Sequence, residues 1–382
     1  MARLRTIKQA LLPGAVLVAL SAGCSLQKPL PEPQVEEKID VEVVRSSWPV
    51  GRLEAGLAFD PYYADGQIYL ADGRGWVKSI EAEQASKRWL RKLDKPLSAG
   101  PKVAGEKVFV ADRKGGFYAL NREDGEPLWE AQLSSEILAE PRMTRGVVIA
   151  RAGNGRLYGL DAESGERLWM FERSVPPLTL RQRSAPAVSG SSVVVGLEGG
   201  RLVALDVTDG SVRWEHTLSE PRGRTELERM RDIAAEPVID RGAVYAVAYQ
   251  GELAAVRMAT GSSQWSRSVS SFSGFLLDNE EIYLAGTDGR VWSFDRRNGA
   301  TAWRQEKLEG LSLTRPVAYG DYLVVGDNAG YVNWLRLRDG ELMARTRLSS
   351  VPIERTPVVT SAEDGLVWVI DSRGRITALR VD

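Results

Sequence analysis

Short runs of apolar residues, each about five positions long, follow one another along most of this chain and are separated by glycine-containing turns. The runs are rich in β-branched residues, as in Val193-Val194-Val195, which favours buried β-strands. The turns between them often read Asp-Gly or Ser-Gly, and glycine is the residue that adopts positive φ at little cost. The pattern therefore predicts an all-β fold made of many short strands joined by tight turns.

The same pattern recurs along the chain at intervals of 38 to 51 residues, a period typical of propeller blades. A proline stands fourteen residues before most of the repeated glycines, and a tryptophan stands fourteen residues after six of them. The repeated glycines are Gly75, Gly115, Gly155, Gly200, Gly251, Gly289, Gly330 and Gly374. Each repeat predicts a sheet of four antiparallel strands, too small to be stable alone. Eight such sheets predict an eight-bladed β-propeller over residues 43–382.

The eighth repeat lacks its last strand, because the chain stops at Asp382, eight residues past Gly374. At the other end of the chain, Trp48 stands thirteen residues before Pro61, which is a normal spacing between a repeat tryptophan and the next proline. We therefore expect an N-terminal strand around Trp48, residues 43–50, to complete the last blade. That closure would remove the free edges of the ring.

The seventh repeat departs from the others at two positions. It carries Trp334 where other repeats have a small residue, and Ala344 where six of them have tryptophan. Because protein cores tolerate exchanges that conserve volume, the two changes predict side chains that fill the same space.

The N-terminus carries an export signal. A basic segment precedes an apolar run over residues 10–22, which is too short to cross a membrane as a helix. The following residues resemble a bacterial lipobox ending at Cys24, with residues 1–23 as a lipoprotein signal peptide. The resemblance implies a lipidated Cys24, and Ser25 in place of aspartate implies delivery to the outer membrane. Residues 24–42 then form a flexible tether. The alternative is an ordinary signal peptide with a chance cysteine.

Composition and charge argue against several classes of partner and site. The chain has 382 residues, a formal net charge of −1, one cysteine and one histidine. A near-neutral charge argues against nucleic acid as a partner. One cysteine and one histidine exclude a disulfide framework, a Cys/His zinc site and a Cys–His nucleophile within the chain. We expect no catalytic residue, no metal and no cofactor.

The repeats resemble the tryptophan-docking repeats of pyrroloquinoline-quinone (PQQ) dehydrogenases, most clearly from Gly200 to Trp214. Those enzymes clamp the quinone against a disulfide of adjacent cysteines, and this chain has no second cysteine. A quinoprotein-type oxidoreductase nevertheless stays an alternative, as does a periplasmic propeller that binds cell-wall glycan through its tryptophans. The repeat by itself implies a fold rather than a function.

The lipobox, the tether and the eight repeats together resemble the BamB family more closely. Members of that family are lipoprotein subunits of the outer-membrane β-barrel assembly machinery. The resemblance implies a non-enzymatic scaffold, anchored by lipid on the periplasmic face of the outer membrane. It implies docking on the POTRA domains of the central barrel subunit, BamA, and assistance to unfolded outer-membrane proteins during folding and insertion. A closed ring gives no reason to expect more than a monomer within that complex.

Two connections between repeats are unusually long. Trp169 to Pro186 spans seventeen residues and Trp214 to Pro237 spans twenty-three, against ten to thirteen elsewhere. Both should emerge side by side on one face of the ring, and long loops often carry function. The second contains a capping-box pattern at 225–228, which predicts a short helix reaching about residue 232.

Partner contacts of the resembled family lie in these two segments. Carried over by the resemblance, they fall on Leu178, Leu180 and Arg181 in the first connection and on Asp232 in the second. A second aspartate position falls on Ala234, a departure from the family pattern. The residues alone leave open whether the two leucines instead pack onto the propeller surface.

Overall fold

The computed structural model describes residues 33, 35–48, 51, 53, 57, 59–173, 178–180, 184–220, 223–361 and 365–381. Within these residues the chain forms 32 β-strands, one short α-helix, α1 (Glu226–Arg229), and a 3₁₀ turn at Glu198–Gly200. Cys24 and the signal and tether segments up to residue 32 lie outside the described residues, as does Arg181.

The strands are grouped in blades along the chain. The first strand is β1 (Val41–Ser47), and blades 1 to 4 follow it: β2 (Tyr62–Ala64), β3 (Gln67–Ala71), β4 (Trp76–Glu81) and β5 (Lys87–Lys92); β6 (Leu97–Ala104), β7 (Lys107–Asp112), β8 (Gly116–Asn121) and β9 (Pro127–Gln132); β10 (Arg142–Thr144), β11 (Val147–Arg151), β12 (Leu157–Asp161) and β13 (Arg167–Phe171); β14 (Ala187–Ser189), β15 (Ser192–Gly196), β16 (Arg201–Asp206) and β17 (Val212–Thr217).

Blades 5 to 8 complete the series: β18 (Val238–Asp240), β19 (Ala243–Val247), β20 (Glu252–Arg257) and β21 (Ser263–Ser268); β22 (Phe275–Leu277), β23 (Glu281–Ala285), β24 (Val291–Asp295) and β25 (Thr301–Gln305); β26 (Val317–Tyr319), β27 (Tyr322–Gly326), β28 (Tyr331–Arg336) and β29 (Leu342–Arg347); β30 (Val358–Val359), β31 (Val367–Ile370) and β32 (Ile376–Val381).

The strands form eight separate four-stranded antiparallel sheets, which confirms the eight-bladed β-propeller. In blades 1 to 7 the strand order across the sheet follows the chain, whereas the last sheet has the order β1-β32-β31-β30. The N-terminal strand therefore completes blade 8, as the sequence predicted. The innermost strand β2 contacts both β6 and β30, so blade 1 lies between blades 2 and 8 and the ring is closed.

The antiparallel order gives the propeller two distinct faces. We call upper the face that carries the turns between second and third strands and the connections from each blade to the next. The lower face carries the turns between first and second and between third and fourth strands. Because every blade has the same order, both long connections lie on the upper face.

Six tryptophans on outermost strands join each blade to the next. Each indole N–H donates to a backbone carbonyl in the third turn of the following blade, at 2.7 to 3.1 Å. Its ring packs on the glycine of that turn. The tryptophan–glycine pairs are Trp89–Gly125, Trp129–Gly165, Trp169–Gly210, Trp214–Gly261, Trp265–Gly299 and Trp303–Gly340. The glycine of the turn between third and fourth strands thus serves a contact between blades as well as a turn.

Replacing Gly165 with alanine tests this second role. A Cβ there would lie 2.5 Å from the Trp129 ring, at φ +75°. Gly146 in the same blade is the matched control, because it has φ +76° and no atom within 4 Å of an added Cβ. We expect about 1 kcal/mol of destabilisation for Gly146→Ala from backbone strain. For Gly165→Ala we expect about 1–3 kcal/mol more from the clash, measured by denaturant unfolding. Equal losses would remove the packing role.

Every blade has one tryptophan in the row that crosses its second, third and fourth strands. The rows are Tyr69-Ser79-Trp89, Phe109-Ala119-Trp129, Ile149-Gly159-Trp169, Val194-Ala204-Trp214, Tyr245-Ala255-Trp265, Tyr283-Ser293-Trp303, Val324-Trp334-Ala344 and Trp368-Ala378-Arg45. In blades 7 and 8 the tryptophan moves inward by one and two strands. The expected exchange between Trp334 and Ala344 is therefore confirmed, and both are buried.

The last blade differs from the prediction in one detail. Arg45, not Trp48, pairs with Ala378 at the position that holds tryptophan elsewhere, and Trp48 is 62% exposed just after the strand ends. Trp368 fills the row from the second strand, so no indole is needed on the closing strand. The turn of blade 1 that would receive one carries Ala85 in place of glycine.

Candidate docking surface

The two long connections flank blade 4 on the upper face. The first leads from β13 to β14, and its described residues are 172–173, 178–180 and 184–186. The second leads from β17 to β18 and contains α1. We call the surface formed by Leu178, Leu180 and Leu227, with Asp232 beneath it, the leucine surface.

The leucines of the first connection differ in exposure. Leu178 is 43% exposed, whereas Leu180 is partly buried. The partly buried leucine can hold the connection against the propeller, while the exposed leucine is free to contact another protein. The structure thus leaves Leu178 accessible to a partner, while Leu180 packs in part onto the propeller, which was the alternative left open by the sequence.

Asp232 lies underneath this connection and is only 2% exposed. Its Oδ2 accepts the N–H of Leu180 at 2.6 Å, and its Oδ1 accepts the N–H of Gly199 at 3.0 Å. Burial raises the pKa of Asp232 above its ordinary value, although both backbone donors favour the ionised carboxylate. The side chain expected at the partner contact therefore uses both oxygens to hold the protein's own backbone, and it joins the two long connections.

The neighbouring position Ala234, where the resemblance implies a second aspartate, is itself buried at 7% exposure. Ile233 beside it is fully buried against Gly196, where a Cβ would lie 2.2 Å from the isoleucine Cγ2. Residues 232–234 thus form the packed floor of the leucine surface.

A buried ion pair that the sequence analysis missed supports this floor. Arg151, 2% exposed at the end of β11, donates to the carbonyl of Gly196 at 2.7 Å and to Glu198 Oε1 at 3.0 Å. Burial lowers the pKa of Arg151, while Glu198 and Asp232 favour its charged form. The only sequence signal was an arginine closing a strand whose other residues are apolar and buried.

The capping box of the second connection is confirmed. The Thr225 hydroxyl accepts the N–H of Glu228 at 3.2 Å, and Glu228 in turn accepts the N–H of Thr225. The helix ends at Arg229 rather than near residue 232. Its Leu227 is 60% exposed, a second apolar side chain that the sequence analysis did not single out.

Ion pairs cross the central channel where the innermost strands begin. Glu236 lies 2.6 Å from Arg142 and 3.4 Å from Arg315, which belong to blades 3 and 7 on opposite sides of the ring. Glu140 adds contacts to Arg142 at 3.0 Å and to Lys102 at 3.8 Å. We call these five residues the axial network. It ties four blades together at the upper end of the channel.

Two further observations bear on chemistry and location. Among the residues that the structure describes, no group of three or more His, Cys, Asp or Glu side chains is placed to hold a metal ion. The same part of the chain contains no helix with the length and apolar character needed to cross a membrane.

The fold and its docked tryptophans define the chain as a β-propeller built from PQQ-like repeats. Residues 73–305 match the family model described as "Outer membrane protein assembly factor BamB". The chain therefore belongs to the BamB family, which confirms the resemblance read from its sequence.

Individual relatives agree with this assignment. The Salmonella typhimurium outer membrane protein assembly factor BamB is 33% identical over 390 aligned positions, which cover 95% of this chain and 99% of the relative. The Alkalilimnicola ehrlichii factor of the same name is 47% identical over 207 residues, and that match spans 54% of this chain and 53% of the relative.

Solved structures show the same fold. BamB from Moraxella catarrhalis superimposes with a TM-score of 0.79 at 26% identity, covering 89% of this chain and 100% of that one. A quinohemoprotein alcohol dehydrogenase from Comamonas testosteroni superimposes with a TM-score of 0.70 at 13% identity, covering 89% of this chain and 76% of that one. At that identity the likeness extends to the fold alone.

Proposed function

We propose that this chain is a non-enzymatic docking scaffold of the outer-membrane β-barrel assembly machinery. Membership of a family whose members are named outer membrane protein assembly factors supports the proposal. In the proposal, Cys24 carries the lipid and holds the propeller on the periplasmic face of the outer membrane. The propeller then docks on the POTRA domains of BamA and assists unfolded barrel proteins during folding and insertion.

The leucine surface is the proposed contact with BamA. Leu178, Leu180 and Arg181 would provide two apolar anchors with an arginine beside them, a composition suited to an interface centre. Leu227, 60% exposed on the second connection, extends the apolar area. The observation that carries the proposal is the carboxylate of Asp232, which fixes the backbone of Leu180 to Gly199. We therefore assign Asp232 a positioning role rather than a direct contact.

A pull-down with the BamA POTRA domains tests the contact. The double variant Leu178→Ala/Arg181→Ala should lose at least ten-fold in capture, because truncating two residues at an interface centre typically costs more than about 2 kcal/mol. Leu90→Ala is the matched control, since Leu90 is also 43% exposed but lies on the outer strand of blade 1. Normal capture by a folded double variant would end the assignment.

Asp232→Asn tests positioning in the same assay. The amide has nearly the same shape as the carboxylate, but it has one acceptor oxygen instead of two. One of the two backbone N–H groups then faces an NH₂ group and has no acceptor, which costs about 1–3 kcal/mol at a buried site. We expect weaker capture with an unchanged fold. Asp209→Asn is the control, because Asp209 is exposed on the lower face and also accepts a backbone N–H, that of Ser211 at 2.9 Å.

The non-enzymatic part of the proposal has its own test. Incubating the purified protein with PQQ and Ca²⁺ should give neither stoichiometric quinone binding nor dye reduction. Either result would favour a quinoprotein oxidoreductase instead.

A further inference from the structure

A second candidate surface lies across the ring from the leucine surface. A cavity of about 360 Å³ opens on the upper face of blade 8, where β29 ends beside the turn between β31 and β32. Trp48, Arg347, Asp371, Arg373 and Arg375 line it. We call these residues the arginine seam. They lie where blade 7 meets blade 8, and Trp48 among them begins the crossing from blade 8 to blade 1.

The single carboxylate of the seam is already engaged within the protein. Asp371 is 4% exposed and accepts the N–H groups of Arg373 and Arg375 at 3.0 and 3.1 Å. It also accepts the hydroxyl of Ser349 at 2.8 Å, and its Oδ2 lies 3.4 Å from Arg375 Nε. Asp371 therefore holds the turn and offsets Arg375, and it leaves the other two arginines without compensation.

Those two arginines are exposed, and neither guanidinium has a carboxylate partner among the residues that the structure describes. Arg347 lies 5.5 Å above the ring of Tyr331, which supports it from one side. The corresponding edge of blade 6 is different, because Arg290 there lies 2.9 Å from Asp288 and 2.7 Å from Glu309. The corresponding edge of blade 6 therefore does not share the uncompensated positive charge of the seam.

An exposed aromatic ring accompanies this charge. Trp48 is 62% exposed, and the guanidinium of Arg375 lies 5.9 Å from its ring centroid. On the blade 1 side of the crossing, Trp76 lies beneath the ammonium of Lys92 at 5.1 Å, and Arg74 is exposed. Tryptophan and arginine are the residue types enriched at energetically dominant contact positions between proteins.

We propose that the arginine seam binds an acidic segment of a partner polypeptide. Carboxylates of that segment pair with Arg347 and Arg373, whose planar guanidinium groups match a carboxylate with two parallel hydrogen bonds. An apolar side chain of the same segment packs on the exposed face of Trp48. This site is distinct from the leucine surface, since blade 8 lies opposite blade 4 in an eight-membered ring.

The described N-terminal stretch and the seam lie at opposite ends of β29, the outer strand of blade 7. Lys38 donates its N–H to the carbonyl of Met343 at 2.8 Å, at the lower end of β29. Arg347 lies at the other end of that strand, four residues from Met343 and about 13 Å away at 3.3 Å per residue. The composition of the seam, in which exposed arginines accompany an exposed tryptophan, favours a protein as its occupant.

Fluorescence anisotropy with a defined probe tests this site on the full mature protein. The probe is a labelled 12-residue peptide that alternates glutamate with leucine, and its lysine counterpart is the charge control. We expect saturable binding of the acidic peptide alone, weakening as salt rises above about 0.15 M. Vesicles containing anionic phosphatidylglycerol form a second arm, in which we expect no seam-dependent binding.

Charge-reversal variants locate the binding. Arg347→Glu/Arg373→Glu should weaken peptide affinity at least ten-fold, and Trp48→Ala should weaken it several-fold. The control Arg241→Glu/Arg338→Glu makes the same change in net charge at two exposed arginines of the lower face and should keep affinity within two-fold. Leu178→Ala/Arg181→Ala should bind the peptide normally, so that failure of the leucine surface and failure of the seam give different results.

Three outcomes would overturn the proposal. They are no binding of the acidic peptide at millimolar concentration, equal weakening by the seam and control reversals, and seam-dependent binding of vesicles without binding of the peptide. The last outcome would assign the seam to a lipid surface instead.

Discussion

Replacing Trp334 with alanine should destabilise the propeller by about 3–5 kcal/mol, the range for a fully buried aromatic side chain cut to a methyl group. Trp334 is 0% exposed and lies directly between Val324 and Ala344 in the row across blade 7. Neither neighbour can fill the space that the indole leaves, so a cavity remains. Denaturant unfolding followed by circular dichroism measures the loss.

Two further variants are compared with Trp334→Ala. Trp48→Ala removes the same side chain from a site that is 62% exposed and should cost less than about 1 kcal/mol. Trp334→Ala/Ala344→Trp returns the indole to the outermost strand, as in blades 1 to 6. We expect it to recover only part of the loss, because blade 8 has no turn between its third and fourth strands to receive the ring. A loss well below about 2 kcal/mol for Trp334→Ala would contradict the packing role.

Much of the fold could be predicted because its determinants are local and repeated. A proline, a glycine and a tryptophan at fixed spacing define one sheet, and eight copies of the repeat define the ring. The exchange of Trp334 and Ala344 was also visible, since both residues depart from the repeat within one unit. What the spacing did not reveal is the second role of the glycine in the turn between third and fourth strands, because the Trp129 ring on Gly165 is a contact between neighbouring blades.

Blade 8, which the N-terminal strand closes, shows where repeat spacing fails to predict the packing. Trp48 has the normal distance from Pro61, yet Arg45 takes the docking position because β1 joins the sheet from the other end of the chain and carries a bulge after Val43. The space is filled by Trp368, a residue two strands away. A repeat pattern shows only distances along the chain. The space in a cross-strand row can be filled by a side chain from any of its strands, so spacing alone does not locate the tryptophan.

The candidate site was predictable in outline only. The lengths of two connections placed it on blade 4, and the resemblance supplied Leu178 and Asp232 as contacts. The burial of Asp232 beneath Leu180 depends on how two segments fold against each other, so no local pattern contains it. Arg151 was missed for the same reason, because its partners Gly196 and Glu198 lie in the following blade.

The axial network carries the second large effect. Glu236→Gln should destabilise the propeller by about 2–4 kcal/mol, because it leaves Arg315 without this carboxylate and Arg142 with Glu140 alone. Two arginines on opposite sides of the ring, Arg142 and Arg315, would lose their shared carboxylate. The side chain keeps 24% exposure in the channel, which places the effect toward the lower end for buried pairs. Thermal and denaturant unfolding at neutral pH measure it.

The pH dependence separates charge from shape at this position. Burial alone would raise the pKa of Glu236, but attraction to Arg142 and then to Arg315 outweighs it and holds the pKa below its ordinary value. A lowered pKa in the folded state gives stability that is present above the unfolded pKa, about 4.3, and is lost as pH falls through the folded pKa. The difference in the free energy of unfolding between wild type and Glu236→Gln should therefore become smaller in acid. Glu163→Gln removes a carboxylate that is 83% exposed in its pair with Lys107, and it should cost under about 1 kcal/mol at any pH. A gap that stays constant with pH would mean that the network holds the blades by shape rather than by charge.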